Sequence, residues 1–395
     1  MDRRLLTLAL GMFALGTDSF VIAGVLPGIS RAFHVSIGAA GQLTTVYALS
    51  YALLSPTLAA LLAHIERKKL MLSGLGVFIV ANLATAWAPS FGFALAARAL
   101  AGLGAAIYSP TASGASTAIM PPEKRGFGLS VVIAGLTLST ALGAPIGTVI
   151  GGLGDWRYTM IFVSAISVVT ALGIAVFLKT IPMPPAIALR QRLAPFADHR
   201  VGLTLLTTLL VQCGNFTVYT YFSVIFDRAT GGSPLVLGAL MVLWGTAGTA
   251  MNLTGGRLID TIGTRKILVV MLVILIAVMS TLHWSSATLP TAVIAIVLYG
   301  ATSWGQLAAQ QHRLVSIMPA AAPIVVGLNT SATYVGVAAA GVIGAAGLTV
   351  VGAHDIGWIS FALYIGALIA AEIAHRSIVR HQVDHPVRGL EAANA

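Results

Sequence analysis

The chain has 395 residues, of which 57% are hydrophobic and 9% charged, and its mean hydropathy is +0.92. A soluble globular chain carries about 25% charged residues, so this composition excludes a water-soluble domain and describes a protein that crosses the bilayer repeatedly. A net charge of +10 would suggest a nucleic-acid partner in a soluble protein; here the position of the charges decides their meaning.

The first apolar run, Leu5 to Pro27, can cross a hydrocarbon core of about 30 Å at about 1.5 Å per residue. Asp18 lies inside it. A carboxylate at that depth costs about 2.5–3.5 kcal/mol on insertion scales, so it must face protein or a wet cavity and is a functional candidate by default. Further runs near 36–62, 69–88, 92–113, 127–152 and 158–180 complete six predicted spans. The fourth contains Arg98, the other ionisable group set well inside an apolar run. The longest polar break, Ile181 to Arg200, clusters prolines and charges and stops both flanking helices. Six more runs follow near 202–225, 234–258, 265–284, 289–311, 324–350 and 356–376. The expected fold is all-α integral membrane, with twelve transmembrane helices in two pseudo-symmetric six-helix bundles. Residues 1–180 and 201–376 are the expected bundles, 181–200 the linker and 377–395 a tail. The first run shows no cleavable signal peptide, because it continues as a full-length span. The single cysteine, Cys213, excludes an internal disulfide and any cysteine-based metal cluster, and no cofactor is expected.

Lysines and arginines fix the expected orientation. Arg3, Arg4, Arg67, Lys68, Lys69, Lys124, Arg125, Lys179, Arg190, Arg192 and Arg200 fall on one side in the first half and linker, and Arg257, Arg265, Lys266, Arg313, Arg376, Arg380 and Arg388 join them. Only Arg31, Arg157 and Arg228 fall on the other. This asymmetry predicts a multi-pass protein of the cell inner membrane with both termini and the linker in the cytoplasm, and it accounts for the basic balance without nucleic acid. The halves also echo one another. HIERKKLML between spans two and three corresponds to GGRLIDTIGTRKIL between spans eight and nine, and Gly104 and Gly102 in span four pair with Gly305 and Ser303 in span ten.

Four stretches resemble the twelve-span drug:proton antiporters of the major facilitator superfamily. Gly256 to Arg265, which includes Asp260 and Gly263, is similar to the cytoplasmic loop motif G-x-L-x-D-x-x-G-x-R/K. Arg98 with Gly102 and Gly104 resembles the fourth-span R-x-x-x-G-x-G motif. Gly143-Ala144-Pro145-Ile146-Gly147 is similar to the fifth-span antiporter motif, with Ala144 inserted into its Gly-Pro pair. Asp18 nine residues before Pro27-Gly28-Ile29 resembles the first-span motif. The first-half loop departs from the pattern, with His64 in place of Asp and Arg67 in place of Gly, as in the branch that exports sugars, purine nucleosides and chloramphenicol. The resemblance implies a secondary active exporter of a small neutral or weakly cationic drug-like molecule driven by inward proton movement, working as a monomer with protons, substrate and lipid as its partners. A sugar or purine-nucleoside exporter is the alternative within the class, and a non-transporting sensor the alternative outside it. An enzyme or primary pump is disfavoured, since no GxxxxGK[ST], HExxH or GxSxG pattern occurs.

Depth arithmetic places Asp18 and Arg98 within one helical turn of each other, so they are the expected proton-coupling pair, against the blander reading of a fixed structural ion pair. Gly143, Gly147 and Gly151 at i, i+4 and i+8 make a smooth face for close helix approach, beside a kink at Pro145. Asp260 is expected to reach the start of span five and latch the halves, with Gly263 and Arg265 in the same motif and His64 as a weaker counterpart. The cavity candidates are Gln42, Thr45 and Tyr47 on span two, Gln212, Asn215, Thr217, Tyr219 and Tyr221 on span seven, and Trp304, Gln306 and Gln310 on span ten, whose amides and rings suit an uncharged or weakly cationic molecule.

Overall fold

The structure, a computed structural model, describes residues 2–62, 64–181 and 189–384. Among them the chain is built from twelve long helices and contains no strand. These are α1 Arg3–Phe33, α2 Ile37–Leu61, α3 Arg67–Ala86, α4 Phe91–Ala118, α5 Pro122–Leu153, α6 Arg157–Phe177, α7 His199–Tyr219, α8 Pro234–Ile262, α9 Thr264–Ser280, α10 Leu289–Ile317, α11 Ala322–Val350 and α12 Gly357–Asp384. Eleven are long and apolar enough to cross a membrane. The shortest, α9, has 17 residues, and a short helix, Leu282–Ser285, continues beyond it.

Polar side chains cap the starts of α1, α2, α4, α7 and α8, where Asp2, Ser36, Ser90, Asp198 and Ser233 accept first-turn N–H groups. Asp2 accepts a hydrogen bond from the Arg4 N–H, and Asp198 accepts one from the Arg200 N–H. Each aspartate also forms an ion pair with that arginine, so the two halves begin with the same Asp-x-Arg cap. His199 and Arg200 therefore belong to α7. At its other end α7 stops at Tyr219, short of the expected 225, and the chain rewinds as the short helix Phe222–Ile225. The α12 helix continues past the expected 376 to Asp384. Within the expected linker, Leu189–Leu193 is a short helix; residues 182–188 of the linker and 385–395 of the tail, Arg388 included, lie outside the described residues.

The packing repeats between halves. In the first, α1 lies on α5 and α6, α2 on α4, and α3 on α4 and α6; in the second, α7 lies on α11 and α12, α8 on α10, and α9 on α10 and α12. A side chain on Gly102 would strike the Tyr47 carbonyl on α2, and one on Gly300 would strike the Trp244 carbonyl on α8. Gly300 is thus the counterpart of Gly102, which moves the sequence pairing of Gly102 with Ser303 by about one turn. What must stay small is the residue facing the neighbouring backbone, and letter matching does not see that constraint.

The halves meet along two seams, α2 against α11 and α5 against α8. On the first, Gly38 faces Ala345, Gln42 Nε2 donates to the Gly341 carbonyl at 3.0 Å, and Tyr51 stacks on Tyr334 with centroids 3.9 Å apart. On the second, Gly152 faces Pro234, Gly238 faces Val149 and Gly245 faces the Thr140 carbonyl. These contacts run from the end opposite the termini to mid-depth. Beyond Tyr51 and Thr249, toward the terminal end, much of α8 from Asn252 to Ile262 is exposed. Contacts between the halves thus gather at the end opposite the termini and at mid-depth, and thin toward the end that carries them. At the end opposite the termini, His283 pairs with Asp355, His354 pairs with Asp227, and Arg228 donates to the His283 carbonyl, tying three loops of the second half together.

Candidate functional site

Asp18 and Arg98 meet in the interior of the first half. Both side chains are completely buried, and Arg98 Nη1 lies 2.6 Å from Asp18 Oδ1. The glycine face of α5 brings α1 into place: side chains at Gly143, Gly147 and Gly151 would collide with Thr17, Val21 and Val25, three residues one turn apart on α1. A π-helical turn, Ser139–Gly143, precedes Pro145 and absorbs the kink where the proline ring lacks an N–H. The α4 helix brings Arg98 in because Gly102 and Gly104 let it approach the α2 and α3 backbones.

Three neighbours complete the pocket. Asn82 Oδ1 on α3 stands 3.4 Å from Arg98 Nη1, the guanidinium lies 4.7 Å above the Tyr47 ring on α2, and the Tyr47 hydroxyl is 3.1 Å from Ser19 Oγ. Asp18 Oδ2, Arg98 Nε and Arg98 Nη2 have no hydrogen-bond partner among the described residues. A buried pair stabilises a fold only when its remaining lone pairs and protons are satisfied, so this half-satisfied pair is a poor structural clamp. It suits chemistry better: Asp18 can take and release a proton, while Arg98 keeps its charge under all ordinary conditions.

The second half answers with neutral groups. Asn215 Oδ1 accepts hydrogen bonds from Tyr364 at 2.6 Å and Ser303 at 3.0 Å, its amide donates to Gln212, and its carbonyl accepts from the Tyr299 hydroxyl at 2.5 Å. Between the halves lies a ring cluster in which Phe20, beside Asp18 in sequence, touches Phe216, Tyr219, Trp244 and Trp304 with centroids 5.6–6.1 Å apart. The indole N–H groups of Trp244 and Trp304 have no acceptor among the described residues.

Of the residues expected from sequence, the structure brings Asp18, Arg98 and Tyr47 into one pocket, Tyr219 and Trp304 into the ring cluster, and Gln212 and Asn215 into the neutral network. Gln42 and Thr45 lie in the α2–α11 seam, where Thr45 fills the space beside Gly341. Tyr221 joins that seam by donating to the Gly341 carbonyl at 2.9 Å. Thr217, Gln306 and Gln310 are buried, and Gln310 spends its amide on the Thr204 carbonyl of α7. Asp260 and His64 are exposed, and among the described residues no hydrogen bond or ion pair joins Asp260 to α5. Arg265 instead forms an ion pair with Glu372 on α12 at 2.7 Å. Gly263 turns α8 into α9 at φ +85°, a conformation that side chains rarely adopt. Arg313, placed by charge on the terminal side, is nearly buried and donates to the Ala371 carbonyl. Sequence reasoning missed Asn82, Trp244 and Tyr334, each a polar or aromatic residue inside an apolar run, and Phe20, which carries no such mark.

The Major Facilitator Superfamily model matches residues 8–341. The chain is 28% identical to the inner membrane transport protein YdhP of Escherichia coli (strain K12) over 93% of this chain and 92% of that protein. It is 31% identical to a chloramphenicol resistance protein of Streptomyces lividans over 66% of this chain and 67% of that one. Among solved structures, a bacterial homologue of the human lysosomal transporter Spinster, inward-facing and unoccupied, aligns with a TM-score of 0.75 at 17% identity, covering 95% of this chain and 97% of that one. A D-xylose–proton symporter aligns with a TM-score of 0.74 at 16% identity, over 94% and 96% of the two chains.

Proposed function

Since the chain belongs to the Major Facilitator Superfamily and is a multi-pass membrane transporter, we propose that it exports a small neutral or weakly cationic, drug-like aromatic molecule in exchange for protons. The observation that carries this reading is the buried, half-satisfied Asp18–Arg98 pair, set two residues along α1 from Phe20, whose ring joins a cluster contributed by the second half. A protonated Asp18 releases Arg98 from its partner and a deprotonated one takes it back, so proton occupancy alters the charge beside the ring cluster. A cation entering that cluster competes with the proton for the same carboxylate, and a neutral aromatic molecule competes through the packing of Phe20. The likeness to a chloramphenicol resistance protein supports an uncharged aromatic substrate with hydrogen-bond acceptors, which the free indole N–H groups of Trp244 and Trp304 would satisfy.

In this reading the end with both termini is the cytoplasmic side; residues 1–180 and 201–376 rock as two bundles about the linker 181–200; and Asp260 latches them when that end closes. The site residues form no metal cluster among those described, and the proposal needs no cofactor. The test is flux in proteoliposomes: with an imposed pH gradient, chloramphenicol and a panel of monocationic dyes, sugars and nucleosides are offered in turn. Gradient-driven accumulation of chloramphenicol or the dyes supports the proposal. Accumulation of sugars or nucleosides alone assigns the transporter to the other exporter class.

A further inference from the structure

Tyr334 lies on α11, in the second half, yet its half-buried side chain packs against the apolar core of the first half as well as against Ala48 of α2 and its own helix. Its ring stacks on Tyr51 of α2 with an interplanar angle of 26°. Its hydroxyl lies against Ser19 and within electrostatic reach of Asp18 and Tyr47. Ser19 in turn is 3.1 Å from the Tyr47 hydroxyl, and the Tyr47 ring carries the Arg98 guanidinium. Tyr334 thus brings a second-half ring, stacked one turn along α2 from Tyr47, into the neighbourhood of the Ser19 and Tyr47 hydroxyls beside the ion pair.

We propose that Tyr334 is the positioning residue that joins protonation of Asp18 to the opening of the terminal end. This inference rests on the reading of Asp18 as the proton site. A bound proton shifts an equilibrium between two conformations only by the difference in its affinity for them. The groups facing Asp18 from its own half, Arg98, Asn82, Tyr47 and Ser19, move with it as one body and supply little difference. Tyr334 does not move with it. It stands at the inner limit of the seam, so any rotation of the halves alters its stack on Tyr51 and its distance from Ser19 and Asp18. Another second-half hydroxyl that reaches α1, that of Tyr219, donates to the Phe20 carbonyl at 3.3 Å, a backbone group that does not titrate.

Spin labels on Leu61→Cys and Ala320→Cys, two exposed positions at the terminal end of α2 and just before α11, report the opening; Cys213 is buried and stays in place. Distances between them are measured from pH 8 to pH 5 in otherwise wild-type protein and in Asp18→Asn, Tyr334→Phe and Tyr51→Phe backgrounds. Tyr334→Phe keeps the ring and the stack, so it removes only the hydroxyl. The expected result is a proton-dependent shift between two distances in wild type, its loss in Asp18→Asn, and a midpoint displaced by about one pH unit, a tenfold change in proton affinity, in Tyr334→Phe. Tyr51→Phe should leave the midpoint in place, because the Tyr51 hydroxyl turns to Ser55 and Ser109. An unchanged midpoint in Tyr334→Phe overturns the role of Tyr334 while leaving Asp18 intact. A shift that survives Asp18→Asn overturns Asp18 itself, and a wild type with no shift overturns both.

Discussion

At the scale of single residues, the account turns on one carboxylate and one guanidinium that water does not reach. Removing one partner of such a pair leaves the other buried and uncompensated, which costs about 3–5 kcal/mol, whereas removing both charges is close to neutral. Arg98→Leu should therefore lower the unfolding temperature in detergent sharply, and Asp18→Asn combined with Arg98→Leu should recover most of the loss. Additive losses would mean that the two residues do not depend on each other. Asp18 and Arg98 were legible in the sequence because a charge in an apolar run is expensive and stands out. Asn82, Tyr334 and Phe20 were not, because a neutral side chain in a helix of this composition costs little, and only packing across helices distant in sequence shows what it faces. The same limit applies to Gln42 and Thr45, which pack in a seam between halves where the Gln42 amide bonds across and the Thr45 hydroxyl finds no partner among the described residues.

At the scale of elements, composition determined the helices, and polar side chains fixed where some of them begin. The clearest case is α7, expected to start at 202 after the linker; Asp198 caps it so that it starts at His199, inside the expected linker. Arg200 hydrogen-bonds the Asp198 carboxylate and holds it below the usual carboxylate range, against the opposing effect of partial burial. A group whose folded value is lowered contributes stability above its unfolded value, about 3.9, and loses it as the pH falls through the folded one. Asp198→Ala should cost about 1 kcal/mol at neutral pH, and the gap from wild type should close below about pH 4. A gap that persists at lower pH would assign the loss to packing. The glycines of α5 were read correctly as a face for close approach. The helix they approach, and the π-helical turn that sets their register against Thr17, could not be read from spacing.

At the scale of the whole molecule, span count, charge asymmetry and internal likeness were enough to expect two packed sets of six helices, and the packing repeats as that expectation requires. Sequence could not say at which end the halves meet, since both states share every residue; that is written in the seam contacts and in the exposed end of α8. Asp18 is completely buried, so in the proposed exchange it meets water only when the halves move about these seams. The most direct test of Asp18 as the coupling group compares two assays of Asp18→Asn in proteoliposomes: accumulation of substrate against an imposed pH gradient, and exchange of labelled for unlabelled substrate at equal pH. An isosteric amide that cannot titrate should abolish the first and preserve the second, since the cleft still opens to each side. Gradient-driven accumulation equal to wild type in Asp18→Asn would contradict the account.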